Sequence, residues 1–363
     1  MKRHYILTAV LAGLLGLLMA CGGSETATPG PDAQARDIKL VAGQGQDTVA
    51  INAYFPSKVT VRAGDTLTWG LGHPDEPHTI SFLSGSPRPA DLVAIEGGAP
   101  TDVQLTPSTQ FPTRAPGDPV ETYNGTSFIS SGLVATFPQG PPGTPPYDTY
   151  SLVMGTPGTY DYVCFLHPSM KGSVTVVPSN ATDVSSQAEI DSQAEAEEAA
   201  LLAEVDPIRA GGNLVRSERG PNGTTIWNVR AGSAGRDSRS EIYEFLSKEI
   251  SIKEGDTVVW SVKGPSIHTV TFHPGQEKPG FITVLPQEAG PPTLQVPANV
   301  AFLVKPSGEF DGTGYWNSGL MDIFEPDRPT SFSMTFTEAG VYDYICAVHD
   351  SLGMNGTVTV LKR

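Results

Sequence analysis

The sequence predicts an all-β protein with two tandem β-sandwich domains joined by an acidic, helical linker. Three observations support this prediction: 39 Gly and 32 Pro are spread along 363 residues, short segments alternate apolar and polar residues, and several sequence blocks occur twice in the same order. Frequent Gly and Pro disfavour long helical bundles and are typical of short strands joined by turns. A chain of this length accommodates two or three domains.

The internal repeat predicts the domain boundaries. The matching blocks are Lys58–Trp69 with Glu249–Trp260, Pro77–Phe82 with Ile267–Phe272, Tyr123–Val134 with Phe310–Met321, Gly158–His167 with Gly340–His349, and Gly172–Val177 with Gly356–Leu361. Because their order is the same, they indicate two copies of one domain. We place domain 1 at residues 37–178 and domain 2 at 207–363.

Each copy contains short segments with the period-two alternation of strands. In the first copy these are TVAINAYF, KVTVRA, TLTWGL, HTISF, YSLVM, TYDYVCF and SVTVV. Such segments, bounded by turn residues, predict an antiparallel sandwich of about seven strands. The long segments between the fourth and fifth strands are rich in Pro and Gly, and we interpret them as partly ordered loop insertions.

Residues 179–206 form an acidic linker with eight Asp or Glu and no Lys or Arg. Ser186 followed by Glu189 makes a capping box, and Pro207 is expected to end the helix, so we predict a helix over Ser186–Glu204. A solvated spacer is one interpretation. A weak apolar stripe also allows the helix to dock on a neighbouring domain.

The overall composition excludes several classes of protein. The net charge of −16 argues against nucleic-acid binding, because a phosphate backbone requires a basic surface. No apolar run reaches the length of a membrane-spanning helix, which excludes a protein with several membrane spans.

The amino terminus has the layout of a secretory signal. Lys2 and Arg3 precede the apolar stretch Ile6–Ala20, and Cys21 follows directly. The segment ending at Cys21 resembles the bacterial lipobox, so residues 1–20 are the predicted signal peptide and residues 21–36 a flexible tether. The resemblance implies lipidation of Cys21 and an extracytoplasmic protein anchored to a bacterial membrane. The alternative is an ordinary signal peptide with a chance cysteine.

Two cysteines remain if Cys21 carries lipid. Cys164 and Cys346 lie 182 residues apart in the same local context. In an oxidising compartment they form either an interdomain disulfide or two metal sites, and the cysteine count leaves both hypotheses open.

Each copy ends with the same set of potential metal ligands. A strand delivers Cys, His follows three residues later and Met a few residues after that, while a second His precedes an earlier strand. Two imidazoles, a thiolate and a thioether form the ligand set of a type 1 copper site. The predicted ligands are His78, Cys164, His167 and Met170 in the first copy, and His268, Cys346, His349 and Met354 in the second.

These motifs resemble those of the cupredoxin family. The loop CFLHPSM is similar to the short ligand loop of amicyanins, and CAVHDSLGM is similar to that of plastocyanins. The resemblance implies Greek-key sandwiches, two copper ions per chain and transfer of electrons between redox partner proteins. Where plastocyanins have Asn after the first His, this chain has Thr79 and Thr269, whose hydroxyls are expected to brace the Cys loop instead.

We predict an electron carrier, with electrons entering and leaving through exposed edges of His167 and His349. A two-domain multicopper oxidase or nitrite reductase is the alternative enzyme hypothesis, but it requires additional histidines, commonly in HxH pairs. Outside the ligand sets the mature chain has only His73 and His273, which we assign to surface loops. A copper store or delivery protein is the third hypothesis.

Overall fold

The computed structural model describes residues 34–99, 101–114, 118–136, 147–213, 216–287 and 292–363. The predicted signal peptide and Cys21 lie outside the described residues. Within these ranges the chain is mostly β, as expected from its sequence, and no helix has the length and apolar character needed to cross a membrane.

The first half (residues 37–177) contains twelve strands and one short helix among its described residues. They are β1 (Asp37–Gln46), β2 (Val49–Phe55), β3 (Lys58–Arg62), β4 (Thr66–Leu71), β5 (Ser81–Phe82), β6 (Leu92–Ala94), β7 (Val103–Leu105), α1 (Pro107–Gln110), β8 (Thr122–Tyr123), β9 (Ile129–Ser130), β10 (Thr149–Met154), β11 (Gly158–Val163) and β12 (Lys171–Val177).

The linker helices α2 (Gln187–Leu202) and α3 (Val205–Gly212) follow, and then the second half (residues 216–361). Its elements are β13 (Arg216–Arg219), β14 (Thr225–Ala234), β15 (Ser240–Leu246), β16 (Glu249–Lys253), β17 (Thr257–Val262), β18 (Thr271–Phe272), β19 (Thr283–Leu285), β20 (Thr293–Val296), α4 (Ala298–Ala301), β21 (Gly308–Phe310), β22 (Trp316–Asn317), β23 (Ser331–Phe336), β24 (Gly340–Ile345) and β25 (Asn355–Leu361).

The sequence repeat is also a repeat of sheet topology. One sheet of the first half has the order β2-β1-β4-β10-β8 and the other β3-β12-β11-β5-β9. The second half repeats these orders as β15-β14-β17-β23-β21 and β16-β25-β24-β18-β22. Each half therefore has two five-stranded sheets around its own buried core, which contains Trp69 in the first half and Trp260 in the second.

The sheets are mixed, so the prediction of an antiparallel sandwich was wrong. β1 pairs in parallel with β4, β12 with β3, and β10 with β8. Period-two alternation reports which face of a strand is buried and carries no information on the direction of its partner. The strand count also exceeds the predicted seven, because β1 was not predicted and the loop insertion contains strands β6 to β9.

The two halves join through paired strands related by an approximate twofold axis. β15 pairs antiparallel with β2, with Glu241 opposite Ala50, the equivalent position of the first half. β20 pairs antiparallel with β7, with Gln295 opposite Gln104. The first pairing merges one five-stranded sheet of each half, together with β13 beside β14, into a single 11-stranded sheet.

The linker packs against both halves rather than crossing solvent as a free spacer. Its capping box is confirmed, since the Ser186 side chain accepts a hydrogen bond from the Glu189 backbone. Ile190 is buried in the core of the first half, whereas Leu201 packs in a cluster that includes residues of β2 and β15. The prediction that Pro207 ends the helical segment was wrong: it lies in the first turn of α3, where proline is tolerated.

Candidate metal centres

In the first half, two separate segments bring the predicted ligands together. His78 is held by two backbone hydrogen bonds with Val134, at 3.1 and 2.8 Å. Cys164 directly follows β11, and the loop after it closes through a hydrogen bond from Cys164 N to Met170 O at 3.1 Å. Met170 N donates to His167 O at 3.0 Å, which keeps the Met beside the Cys.

The donor atoms of the first half form a compact triangle. His78 Nδ1 lies 3.1 Å from His167 Nδ1, and Cys164 Sγ lies 3.9 and 3.6 Å from these two nitrogens. The three side chains are buried, as is Met170. The structure therefore brings together the two histidines and the cysteine predicted for this site, and Met170 lies buried in the same loop.

The second half repeats the arrangement. His268 Nδ1 lies 3.2 Å from His349 Nδ1, and Cys346 Sγ lies 3.8 and 3.6 Å from the two nitrogens. Its ligand loop is longer and contains a single 3₁₀ turn at Asp350–Leu352, but it still closes through a hydrogen bond from Cys346 N to Met354 O at 3.0 Å.

Both triangles have the size that a single bound metal ion requires. In each, the point equidistant from the three atoms lies about 2.1 Å from every one of them, comparable to metal–imidazole bonds of ~2.0–2.1 Å and slightly short of metal–thiolate bonds of ~2.3 Å. Two imidazoles and one thiolate in a plane, with a Met nearby, suit copper better than the four strong ligands typical of zinc.

Among the described residues, no other group of three or more His, Cys, Asp or Glu converges in this way. The disulfide hypothesis was wrong, because Cys164 and Cys346 are both free and buried in different halves.

Thr79 and Thr269 brace the cysteine loops. The Thr79 backbone N–H donates to Cys164 Sγ at 3.3 Å, and its hydroxyl accepts from Phe165 N at 2.8 Å. In the second half, the Thr269 backbone N–H donates to Cys346 Sγ at 3.3 Å, and the Thr269 hydroxyl accepts from Ala347 N at 2.7 Å. A single Thr thus fixes the thiolate and the backbone after it, as the sequence led us to expect.

Comparison with known proteins supports this assignment. Residues 327–361, which contain the second Cys-His-Met loop, match the family model described as copper binding proteins, plastocyanin/azurin family. A 28-residue segment is 61% identical to Amicyanin-alpha of Methylorubrum extorquens; the match covers 8% of this chain and 24% of that protein, so the chain spans about a quarter of this curated relative.

The second Cys-His-Met loop is therefore similar to that of the copper-binding proteins of the plastocyanin/azurin family.

Solved structures of the same kind are also similar to this chain. The copper(I) form of an amicyanin mutant is 23% identical, over 37% of this chain and 80% of that one, with a TM-score of 0.21. Oxidized plastocyanin from Dryopteris crassirhizoma is 22% identical, over 37% of this chain and 99% of that one, also with a TM-score of 0.21.

Two glycines that the sequence analysis missed shape the candidate metal sites. Gly43 has a φ of +69°, and a Cβ there would lie 2.0 Å from His78 Nε2; Gly232 has a φ of +73°, and its Cβ would lie 2.1 Å from His268 Nε2. Each occupies an irregularity in its strand, where glycine permits close approach of the backbone. The signal was present in the sequence, because both glycines follow an Ala at equivalent strand positions.

Glu76 makes the first centre electrostatically different from the second. The Nε2–H of His167 donates to Glu76 Oε1 at 2.8 Å, and both side chains are buried. Burial would raise the pKa of this carboxyl, but the hydrogen bond and charge of His167 lower it below its usual value. Burial would lower the pKa of His167, but Cys164 and Glu76 raise it to about 10.

The surroundings of the first centre also favour the charged form of its thiol. Burial alone would raise the pKa of Cys164, but hydrogen bonds and charge from His167 and His78 hold it well below its usual value. The first centre is therefore preorganised to hold a thiolate beside a positive charge.

The second centre lacks a carboxylate equivalent to Glu76, since Ser266 occupies that position in the repeat. Burial lowers the pKa of His349 to about 4 and raises that of Cys346. Tyr243 instead stacks on the His349 ring, with centroids 4.1 Å apart and planes 17° apart. The two centres thus share a ligand set but differ in their surroundings.

A buried polar network links the halves beside these centres. Asn52 Nδ2 donates to Glu241 Oε1 at 2.7 Å and to Tyr243 Oη at 3.0 Å. Ser266 Oγ donates to Glu241 Oε1 at 2.9 Å. Burial raises the pKa of Glu241 to about 7, against the lowering effect of His167 and of these hydrogen bonds. Sequence patterns gave no sign of this network, because its members come from different halves.

Both centres open onto one cavity between the halves. His167 and His349 line the same space of about 340 Å³, together with Glu76. The prediction that the edges of these two imidazoles are exposed was wrong: the residues are only 3% and 6% exposed. The docking of the two halves against each other covers both imidazoles. A single domain on its own would not show this effect.

The two remaining histidines lie outside the ligand triangles. His73 is buried, so its assignment to a surface loop was wrong; its Nδ1 accepts from Asp75 N at 3.3 Å and its Nε2 lies 3.2 Å from Asp47 O. His273 lies in a turn closed by its contact with Gln276 O at 3.1 Å, as the surface-loop assignment predicted.

Proposed function

We propose that this chain is an electron-transfer protein with one type 1 copper site in each Greek-key half. The observation behind the proposal is the pair of buried His-Cys-His triangles, each with a Met in the same loop. When bound, copper supplies one-electron chemistry by cycling between the cuprous and cupric states. The proposed ligands are His78, Cys164, His167 and Met170, and His268, Cys346, His349 and Met354.

The protein's contribution is to keep the donor atoms nearly fixed. The Thr79 and Thr269 braces and the closed backbone loops hold each thiolate. Because the donors are already close to their bonding positions, little rearrangement accompanies a change of oxidation state. The barrier to electron transfer is correspondingly low.

We further propose that the two centres exchange electrons directly. His167 and His349 line one cavity, and Glu76 interacts electrostatically with both imidazoles. Both imidazoles line this cavity and neither is open to bulk solvent, so the proposed route between the centres passes through the two imidazoles and the cavity that they share. The carboxylate of Glu76 favours the oxidised state in the first half, which makes the second half the preferred resting place of a single electron.

Pulse reduction tests this exchange. A substoichiometric pulse of reductant on the fully oxidised protein is expected to produce a fast reduction of copper, followed by a redistribution of electrons between the two centres. The rate of this second phase should not depend on protein concentration. The Cys164→Ser variant, with one centre removed, should lack the second phase. A redistribution rate proportional to protein concentration would show exchange between molecules and would overturn this part of the proposal.

We propose an extracytoplasmic location, with lipid on Cys21 and redox proteins of an electron-transport chain as partners. The supporting observation is the lipobox-like sequence after a short apolar stretch. Labelling of the full chain with a radioactive fatty acid in a bacterial host tests it, and the Cys21→Ser variant should take up no label. Equal labelling of both proteins would contradict the anchor.

A further inference from the structure

The cavity between the halves has the size and walls of a small-molecule site. Its volume of about 340 Å³ falls at the lower end of the range typical of ligand pockets, roughly 300–1,000 Å³. Both halves contribute apolar walls, among them Leu105 and Leu133 from the first and Ile282 and Leu294 from the second. Such a space accommodates one or two fused rings.

The polar residues that line this space are Asp75, Glu76, Asp91, His167, Ser266, His349 and Ser351, and two of them, Glu76 and His349, interact electrostatically and each offer a free hydrogen-bonding atom. His349 is 6% exposed, and its Nδ1 belongs to the donor triangle, which leaves Nε2 as the outward nitrogen. Among the described residues nothing hydrogen-bonds to that Nε2. Glu76 is 5% exposed, and one of its carboxylate oxygens is engaged by His167 while the other has no partner within the described part of the chain.

The hydrogen-bonding roles of these groups are complementary. With Nδ1 committed to a metal ion, the proton of a neutral imidazole resides on Nε2, so His349 is a donor. The free oxygen of Glu76 is an acceptor. A ligand group that satisfies both side chains must accept a hydrogen bond from His349 and donate one to Glu76.

We propose that this cavity binds a small aromatic hydroxy compound of the phenol class. Its hydroxyl oxygen accepts from the Nε2–H of His349 and its hydroxyl proton is donated to Glu76, while the ring packs on the leucine and isoleucine walls. The inference rests on the proposed function in one respect, since metal ligation by Nδ1 fixes the donor role of His349.

The test uses the full chain, loaded with copper and kept fully reduced so that no electron leaves the ligand. Fluorine NMR titration with 4-fluorophenol is expected to show saturable binding to one site per chain. Fluorobenzene, which has the ring but not the hydroxyl, should bind about tenfold or more weakly, because it leaves both polar groups unsatisfied. A shift of the His349 Nε2–H proton resonance should accompany binding of 4-fluorophenol.

Two matched variants locate the site. Val284 lines the cavity and is 45% exposed, so Val284→Trp should obstruct the space without disturbing a core and weaken binding of 4-fluorophenol about tenfold or more. Val341 is 67% exposed on β24 outside the cavity, so Val341→Trp should leave the affinity unchanged.

Equal affinities for 4-fluorophenol and fluorobenzene, absence of saturable binding, or equal effects of the two Trp variants would each overturn the inference. Copper content measured on the same samples separates this outcome from failure of the proposed function. Two copper ions per chain with no bound phenol would contradict the cavity ligand alone, whereas a chain without copper would contradict the metal sites themselves.

Discussion

Replacement of Glu76 by Gln should raise the reduction potential of the copper centre in the first half. The carboxylate is buried and accepts a hydrogen bond from His167, so its negative charge favours the more positive, cupric state. Gln keeps a hydrogen-bond acceptor of nearly the same size but removes the charge. The cuprous state therefore becomes relatively more stable in the variant.

The size of the shift follows from the distance of the charge. Glu76 Oε1 lies 2.8 Å beyond the outer nitrogen of His167, which places the carboxylate roughly 7 Å from the centre of the donor triangle. Two unit charges at that separation interact by about 2.4 kcal/mol at an effective dielectric constant of ~20. For a one-electron couple this corresponds to about 100 mV, at ~59 mV per tenfold change in equilibrium constant.

Spectroelectrochemical titration in a Cys346→Ser background isolates the first centre. Asp75→Asn is the matched control, because it removes the same charge from the neighbouring but exposed residue. Solvent screening should limit the control shift to about 20 mV. A shift in Glu76→Gln no larger than that of the control, or a shift to lower potential, would refute the reasoning.

The remaining predictions concern metal retention and stability. Cys164→Ser should halve the copper content and leave the second centre intact, as measured by metal analysis and electron paramagnetic resonance. Gly43→Ala should displace His78 and abolish copper at the first centre, whereas Gly97→Ala, with a similar positive φ of +75° but nothing within 4 Å, should keep both ions. The free energy of unfolding should fall as pH rises from about 4.5 through 7, because the folded state holds a proton on Glu241 that the unfolded chain releases at lower pH. Urea unfolding of Glu241→Gln across this pH range should show a flatter profile, and a profile identical to that of the parent chain would count against the assignment.

The convergence of the Cys and the His of each loop was predictable because these two residues are close in sequence. Cys and His three residues apart at the end of a strand, with Met in the same loop, occur in both copies, and the repeat makes coincidence implausible. The capping box of α2 was readable for the same reason, since Ser186 and Glu189 are close in the chain. Thr79 and Thr269 were identifiable as braces from their place beside a ligand.

The docking of the halves was not predictable from either copy alone. Burial of His167 and His349 arises from edge pairing of β2 with β15 and β7 with β20, and edge pairing depends on backbone groups that every sequence has. The role of Glu76 stayed hidden for a related reason. Its partner His167 is 91 residues away, and no periodicity connects them.

The most direct test of the account is a copper count combined with the visible spectrum of the full chain. We predict two copper ions per chain and an intense thiolate-to-copper band that bleaches when the protein is reduced. A ratio well above two would instead support the oxidase hypothesis. A cupric protein without the band, or a chain that retains no copper, would contradict the central claim that each half holds one ion between two histidines and a cysteine.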